Sequence, residues 1–115
     1  MIAVTLFTGK DGVLKKCKAN GHAGFSKRGQ DIVCSAVTVL LRTAMQFLSR
    51  NKDVTLEADT SSRGTLAFCV EVKDGNPEAE SCLKFTADFL REGFISLSKD
   101  YSENVSFEEV AEAGN

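Results

Sequence analysis

The chain has 115 residues, 43% of them hydrophobic and eight of them Phe, which suffices for one compact core, so we expect a single domain over residues 1–115. A net charge of −2 and a pI near 5.4 argue against binding nucleic acid, which needs a basic face. No apolar run is expected to be long enough to span a membrane.

The cysteines point to a reducing compartment. Cys17, Cys34, Cys69 and Cys82 lie in separate segments without short paired spacing, and no secretory leader is recognisable. We therefore predict free thiols in a cytoplasmic protein. One His with four scattered Cys also lacks the CxxC spacing of structural zinc sites, so neither a metal nor another cofactor is expected.

The chain begins with a predicted β-hairpin. Ile2–Thr8 is rich in β-branched and apolar residues, residues 9–12 form a turn cluster, and residues 13–19 alternate again. In the second strand Val13, Lys15 and Cys17 are predicted to face one side, and Leu14, Lys16 and Lys18 the other.

The next segment holds the only histidine, His22. Gly21, Gly24 and Gly29 adopt positive φ without steric cost and predict a mobile loop around it. Asp31 is interpreted either as the N-cap of the following helix, accepting the N–H of Cys34, or as a group that orients His22. A phosphate-binding loop is disfavoured because the GxxxxGK[ST] pattern is absent.

A helix is predicted over residues 32–50, with Cys34 at the margin of its apolar face. The face itself comprises Ile32, Val33, Ala36, Val37, Leu40, Leu41, Ala44, Phe47 and Leu48. A thiol in the first helical turn faces unpaired backbone N–H groups and the positive end of the helix dipole, and both favour the thiolate. Cys34 as nucleophile and His22 as general base are thus one interpretation, and a merely packed Cys34 is the other.

The second half repeats the pattern. Strands are predicted over residues 54–60 and Thr65–Val72, joined by a turn at residues 61–64. Asn76 is a predicted N-cap for a helix from Pro77 to about residue 98, in which Gly93 indicates a bend or a close contact. Cys82 is predicted to be a core residue of this helix. A last strand is predicted over residues 104–110, followed by a frayed tail.

These elements predict an α+β fold in two layers, with an antiparallel or mixed sheet of about five strands and two helices. One helix layer leaves the other sheet face or an edge uncovered. A homodimer would bury that remainder.

Two motifs make the sequence specific. Gly21-His-Ala-Gly24, followed by Gly29-x-Asp31-Ile-Val-Cys34-Ser-Ala-Val, resembles the ribosomal-processing cysteine protease family. The resemblance implies a His22–Cys34 dyad, an aspartate at Asp31, and Thr38 where the family commonly has serine. It also implies a homodimer that trims the N-terminal extension of the twenty-seventh large-subunit ribosomal protein after aromatic residues.

Three alternatives remain at this stage. A non-catalytic ribosome-associated binding or assembly factor would leave Cys34 packed and unreactive. Another Cys–His acyl-transfer hydrolase, such as a thioesterase, would use the same dyad on a different acyl donor. A redox sensor would need a resolving cysteine near Cys34, which the sequence does not place.

Overall fold

A computed structural model describes residues 1–21, 30–59 and 64–112, apart from the side chains of residues 30 and 31. The strands are β1 (Ile2–Thr8), β2 (Leu14–Asn20), β3 (Val54–Asp59), β4 (Thr65–Val72) and β5 (Val105–Ala111), and the helices are α1 (Gln30–Ser49) and α2 (Pro77–Asp100). A short 3-10 turn, Lys10–Gly12, joins β1 to β2. Residues 60–63 and 113–115, for which the end of a strand, a turn and a frayed tail were predicted, lie outside the described ranges.

The five strands form one mixed sheet in the order β3-β4-β2-β1-β5. All neighbours are antiparallel except β1 and β5, which run parallel with Ile2 opposite Val105. The parallel pair is possible because α2 carries the chain back across the sheet before β5 begins. The predicted two-layer α+β fold, with a mixed sheet and two helices, is confirmed.

The predicted alternation along β2 is wrong at its start. Leu14 and Cys17 are both fully buried, although they were assigned to opposite faces. The reason is an irregularity in the pairing with β1, where Phe7 lies opposite Lys16 but Thr8 lies opposite Leu14. The extra residue, Lys15, resets which side chains face the core.

The core lies between the helices and one face of the sheet. Its largest fully buried side chains come from four strands and both helices: Phe68, Phe94, Leu6, Leu14, Leu41, Leu48, Leu83, Leu90, Val4, Val33, Val70 and Val105. The opposite sheet face is largely polar, with Lys16 above the ring of Phe7 at 5.5 Å from its centroid. The lysines of β2 lie on an interior strand of the sheet, so they solvate this face and do not protect an edge.

α1 has a narrower buried face than its sequence predicts. Val33, Val37 and Leu41 pack into the core, whereas Ile32 and Phe47, predicted to share that face, are about 60% exposed. The 18 residues Ile32–Ser49 are also apolar and long enough to cross a membrane, so the expectation that no segment has that length is wrong. A helix that packs in a protein core can have the same length and composition, and Val33, Val37, Leu41 and Leu48 of α1 are buried in this fold.

α2 begins as predicted. The side chain of Asn76 accepts hydrogen bonds from the N–H groups of Glu78 and Ala79, both at 3.0 Å, and Pro77 follows it. Gly93 marks a close contact with α1, because a Cβ at this position would lie 3.0 Å from Cδ1 of Leu40. Cys82, predicted to be a core residue, is only partly buried and packs at the margin of the core.

Among the described residues, the most exposed large apolar side chains lie mainly on the helices, and not on the sheet face or edge where a partner was expected. Phe85, Phe89 and Phe47 are 73%, 67% and 59% exposed. They border a groove of about 400 Å³ between α1 and α2, here called the helix groove, whose lining is Leu40, Thr43, Ala44, Phe47, Cys82, Phe85, Thr86 and Phe89. Val39 and Ile32 extend the apolar surface along α1.

Candidate active site

Cys34 lies close to the start of α1, but not where the sequence predicted. The helix already begins at Gln30, so Cys34 is its fifth residue and lies just beyond the first turn. Asp31 is the second helical residue and therefore does not occupy the N-cap position. Apolar periodicity begins only at Ile32, so it could not reveal the two polar residues before it.

The shift leaves the electrostatic argument for Cys34 in place. Each Cα–Cβ bond in a helix tilts towards the N-terminus, so the thiol is displaced back towards the first turn. The N–H groups of residues 30–32 have no acceptor within the helix and are directed to that end. An anion that forms at or beside the sulfur is therefore stabilised by the helix.

The thiol opens into a cleft of about 310 Å³, here called the thiol cleft. It is lined by Ile2, Ala19, Gly21, Cys34, Val37, Thr38, Leu41, Arg42, Gly64, Thr65 and Leu66. Ile2, Ala19, Val37 and Leu41 are buried and form an apolar floor. Cys34 itself is half-buried, so it is held by packing and still accessible.

The far wall of the thiol cleft is made by the ends of strands. The hydroxyl of Thr65 donates to the side-chain oxygen of Asn20 at 2.5 Å, and the N–H of Gly21 donates to the carbonyl of Gly64 at 2.9 Å. These bonds join the end of β2 to the start of β4. The wall facing Cys34 is thus part of the sheet.

Gly21 has a packing role that its sequence context did not reveal. Its φ is +152°, and a Cβ there would overlap the carbonyl oxygen of Met1 and lie 2.8 Å from Cα of Ile2. A side chain at position 21 would push β1 away from β2 at the edge of the thiol cleft. Glycine is therefore required by close backbone contact.

Of the remaining predicted site residues, only Thr38 has a described side chain. Thr38 lies one turn after Cys34 and lines the same cleft, half-buried. His22, Gly24 and Gly29 lie outside the described residues, as does the side chain of Asp31.

The other three cysteines occupy different environments. Cys17 is fully buried in the core, and burial raises the pKa of its thiol to about 12. Cys69 is exposed on the polar sheet face, and Cys82 lines the helix groove. Within the described ranges no three His, Cys, Asp or Glu side chains cluster closely enough to hold a metal ion.

Sequence reasoning missed several residues of the thiol cleft. Ile2 and Leu66 belong to strands that are remote from Cys34 in the chain, and only strand pairing brings them to it. Arg42 is exposed but also lines the thiol cleft. Its spacing of eight residues from Cys34, two steps of four, was the signal that could have placed both on one side of α1.

An accessible thiol near a helix start, facing an apolar cleft in a two-layer α+β fold, is an arrangement found in enzymes that use cysteine as a nucleophile. The family model described as cysteine protease Prp matches residues 1–106. The chain belongs to that family, and the resemblance seen in the sequence motifs is confirmed.

Individual relatives agree with this assignment. The ribosomal processing cysteine protease Prp of Mycoplasma pneumoniae is 47% identical over 36 residues, a stretch that spans 31% of this chain and 36% of that protein. Three crystal structures share the fold. SMU.848 of Streptococcus mutans has a TM-score of 0.74 at 24% identity, covering 97% of this chain and 96% of its own.

The other two structures are of an essential ribosomal processing protease Prp of S. aureus. The complex with a substrate peptide has a TM-score of 0.76 at 15% identity, and the complex with a covalently linked product peptide has a TM-score of 0.72 at 19% identity. Each comparison covers 95% of this chain and 99% of the other. At these identities the likeness concerns the fold.

Proposed function

We propose that this chain is a cytoplasmic cysteine endopeptidase that removes the N-terminal extension from the precursor of the twenty-seventh large-subunit ribosomal protein. Cys34 is the nucleophile and His22 is the general base. The observation that carries the proposal is the thiol cleft, which presents one half-buried thiol beside an apolar floor. Names of family members as ribosomal processing proteases support the substrate class.

The reaction is acyl transfer to sulfur followed by hydrolysis. His22 takes the thiol proton as Sγ of Cys34 attacks the scissile carbonyl carbon, and the resulting imidazolium returns a proton to the amine that leaves. Water, deprotonated by the same imidazole, then cleaves the thioester and regenerates the thiol. Asp31, whose backbone is the second residue of α1, is assigned in this proposal to orienting the imidazole.

The helix contributes the electrostatic part of catalysis. Negative charge that develops on the carbonyl oxygen needs donors that are already in place. The unpaired N–H groups of residues 30–32 at the start of α1 are the donors proposed for this role. Thr38 adds a hydroxyl one turn further along the same side of the cleft.

The shape and chemistry of the thiol cleft support an aromatic residue next to the scissile bond. Its volume of about 310 Å³ accommodates a large side chain, and its buried floor is aliphatic. Burying an aromatic ring there contributes about 2–3 kcal/mol to substrate binding. This is enough to select an aromatic residue over a small polar one.

The proposal includes a homodimer formed through the helix groove. Phe47, Phe85 and Phe89 together expose the area of about two whole Phe side chains, roughly 300–500 Å². This exposed area is as large as the largest apolar patch on a typical monomer. It could form the centre of a standard interface, which covers about 800 Å² per partner. A two-fold axis through the groove would pair it with itself and bury all three rings.

Incubation with a synthetic precursor peptide tests the proteolytic activity. The wild-type protein is expected to release a fragment with a new N-terminus, detected by mass spectrometry, and Cys34→Ala is expected to release none. Cys69→Ala is the matched control, because it removes an exposed thiol on the polar sheet face. Cys34→Ala should change the free energy of unfolding by no more than about 1 kcal/mol, since the residue is only partly buried.

The outcomes separate the competing functions. Cleavage that persists in correctly folded Cys34→Ala contradicts the assignment of the nucleophile. Hydrolysis of a thioester without cleavage of the peptide indicates another acyl-transfer hydrolase. Binding of the peptide by the wild-type protein without any product indicates a binding or assembly factor.

A further inference from the structure

The thiol cleft has a cationic end that the proposed chemistry does not use. Arg42 lines the cleft together with Cys34 and Thr38, and the spacing of four residues places the three side chains along one flank of α1. Arg42 is exposed, and no ion pair or hydrogen bond joins its guanidinium to a carboxylate among the described residues. In the described part of the cleft it is the only charged side chain.

The surroundings of Arg42 differ from those of the arginine in α2. Arg91 donates to Asp88 and Glu109, so each of its three nitrogens already has a carboxylate partner within the protein. Arg42 lines a cleft whose other described side chains are apolar, hydroxyl or thiol, and its guanidinium carries a planar set of five donors. Among the described residues no carboxylate takes up these donors, so a group in the cleft with acceptor oxygens would suit them.

Distances along the helix indicate which part of a peptide would reach it. Eight residues at 1.5 Å rise separate Arg42 from Cys34 by about 12 Å along the axis. An extended peptide advances about 3.3 Å per residue. A peptide whose scissile carbonyl lies at Cys34 and whose chain follows the cleft therefore places its third or fourth residue from the scissile bond at Arg42.

We infer that Arg42 is a substrate-binding residue that donates hydrogen bonds to an acceptor oxygen of the peptide, three or four residues from the scissile bond. The inference rests on the proposed function only in taking a peptide as the occupant of the thiol cleft. Two sources of the acceptor share this chemistry, an acidic side chain and a main-chain carbonyl. Binding through an acidic side chain depends on the sequence of the peptide, whereas binding through a main-chain carbonyl does not.

Peptide binding tests the inference independently of catalysis. Fluorescently labelled peptides carrying Glu, Gln or Lys at each position from two to five residues on either side of the scissile bond are titrated into Cys34→Ala, which leaves them intact. The same peptides are titrated into the double variants that add Arg42→Ala or Arg42→Glu. Arg50→Glu is the matched control, because Arg50 follows the end of α1, is exposed and does not line the cleft.

An acidic side chain as the acceptor predicts a preference at one position. There Glu should bind about tenfold more tightly than Lys, the effect of a charge-assisted hydrogen bond, and Arg42→Glu should reverse the order. A main-chain acceptor predicts equal binding of the three peptides at every position. Arg42→Ala then weakens all of them about tenfold, and the loss disappears when the peptide is shortened to two residues on one side of the scissile bond.

Other results overturn the inference. The inference is contradicted if Arg42→Ala and Arg42→Glu leave the dissociation constants unchanged. It is also contradicted if Arg50→Glu changes them as much as Arg42→Glu does, or if Cys34→Ala does not bind the peptides. Failure of the proposed function looks different. In that case the peptides bind and respond to Arg42 substitutions, but the wild-type protein does not cleave them.

Discussion

Arg91 of α2 and Glu109 of β5 form a bidentate ion pair, in which Nε donates to Oε1 at 2.6 Å and Nη2 donates to Oε2 at 2.8 Å. The same arginine donates from Nη1 to Asp88 at 2.7 Å, which holds it on the surface of α2. The pair therefore connects the second helix to the edge strand of the sheet. It fastens β5, the strand whose parallel pairing with β1 completes the fold.

This pair predicts how stability depends on pH. Hydrogen bonding from Arg91 lowers the pKa of Glu109, so the folded protein holds this carboxylate ionised more strongly than the unfolded chain does. The contribution is complete above the pKa of the unfolded chain, ordinarily near 4.5, and is lost as the pH falls through the lowered value. Glu109→Gln should reduce the free energy of unfolding by about 0.5–1 kcal/mol at pH 7, because the pair is partly solvent-exposed.

Chemical denaturation between pH 3 and pH 7 measures this effect. The loss in Glu109→Gln should shrink as the pH falls, so that the variant and the wild-type protein converge in acid. Glu108→Gln is the control, since Glu108 is exposed and lies outside the pair. A Glu109→Gln variant that stays equally destabilised at every pH would show that packing, and not the charge, is responsible.

Gly21→Ala should destabilise the protein by about 2–4 kcal/mol. The added Cβ would meet the backbone of Met1 and Ile2 at a φ of +152°, and backbone cannot move aside as a flexible side chain can. Gly12→Ala is the control for conformational strain alone, because Gly12 has a φ of +77° with open space around it. A cost of about 1 kcal/mol is expected there. Similar losses of stability in the two variants would argue against close packing at Gly21.

Cys34 should react with iodoacetamide faster than the other three thiols below pH 8. Cys17 should be the slowest, because it is fully buried and burial raises its pKa to about 12. Cys69 controls for exposure, since it is accessible but far from the start of α1. His22→Ala should slow the labelling of Cys34 by removing its proposed partner. Labelling of Cys69 at the rate of Cys34 would refute activation of the thiol.

Phe85→Glu should convert the proposed dimer to monomers. A charge at the centre of the helix groove must be desolvated to form the interface, which costs several kcal/mol without a partner. Val110→Glu is the matched control, because Val110 is a partly exposed apolar residue of β5 and thus tests the sheet. Analytical ultracentrifugation distinguishes the two. Dissociation caused only by Val110→Glu would place the interface on the sheet.

Local sequence patterns predicted most helices and strands correctly. They failed where contact with a second element changes which side chains are buried. The N-cap at Asn76 and the turn at residues 9–12 depend on neighbours in the chain, and both lie where they were predicted. The alternation in β2 failed at Lys15 because a bulge depends on the partner strand. Helical periodicity placed Phe47 on the predicted core face because Phe47 is apolar and correctly spaced. Periodicity does not reveal how many of the apolar side chains on that face the sheet can cover.

The sequence by itself determined the order of elements, the family and the two residues proposed for the dyad, because each is encoded in short-range spacing and residue type. Only the tertiary structure decided what surrounds the thiol. Strand pairing brings Ile2 and Leu66 opposite Cys34, and the turn of α1 directs Arg42 to the same cleft. The way in which α2 packs on the sheet also decided that Phe85 and Phe89 lie outside the core. These are contacts between distant segments, which no local pattern specifies.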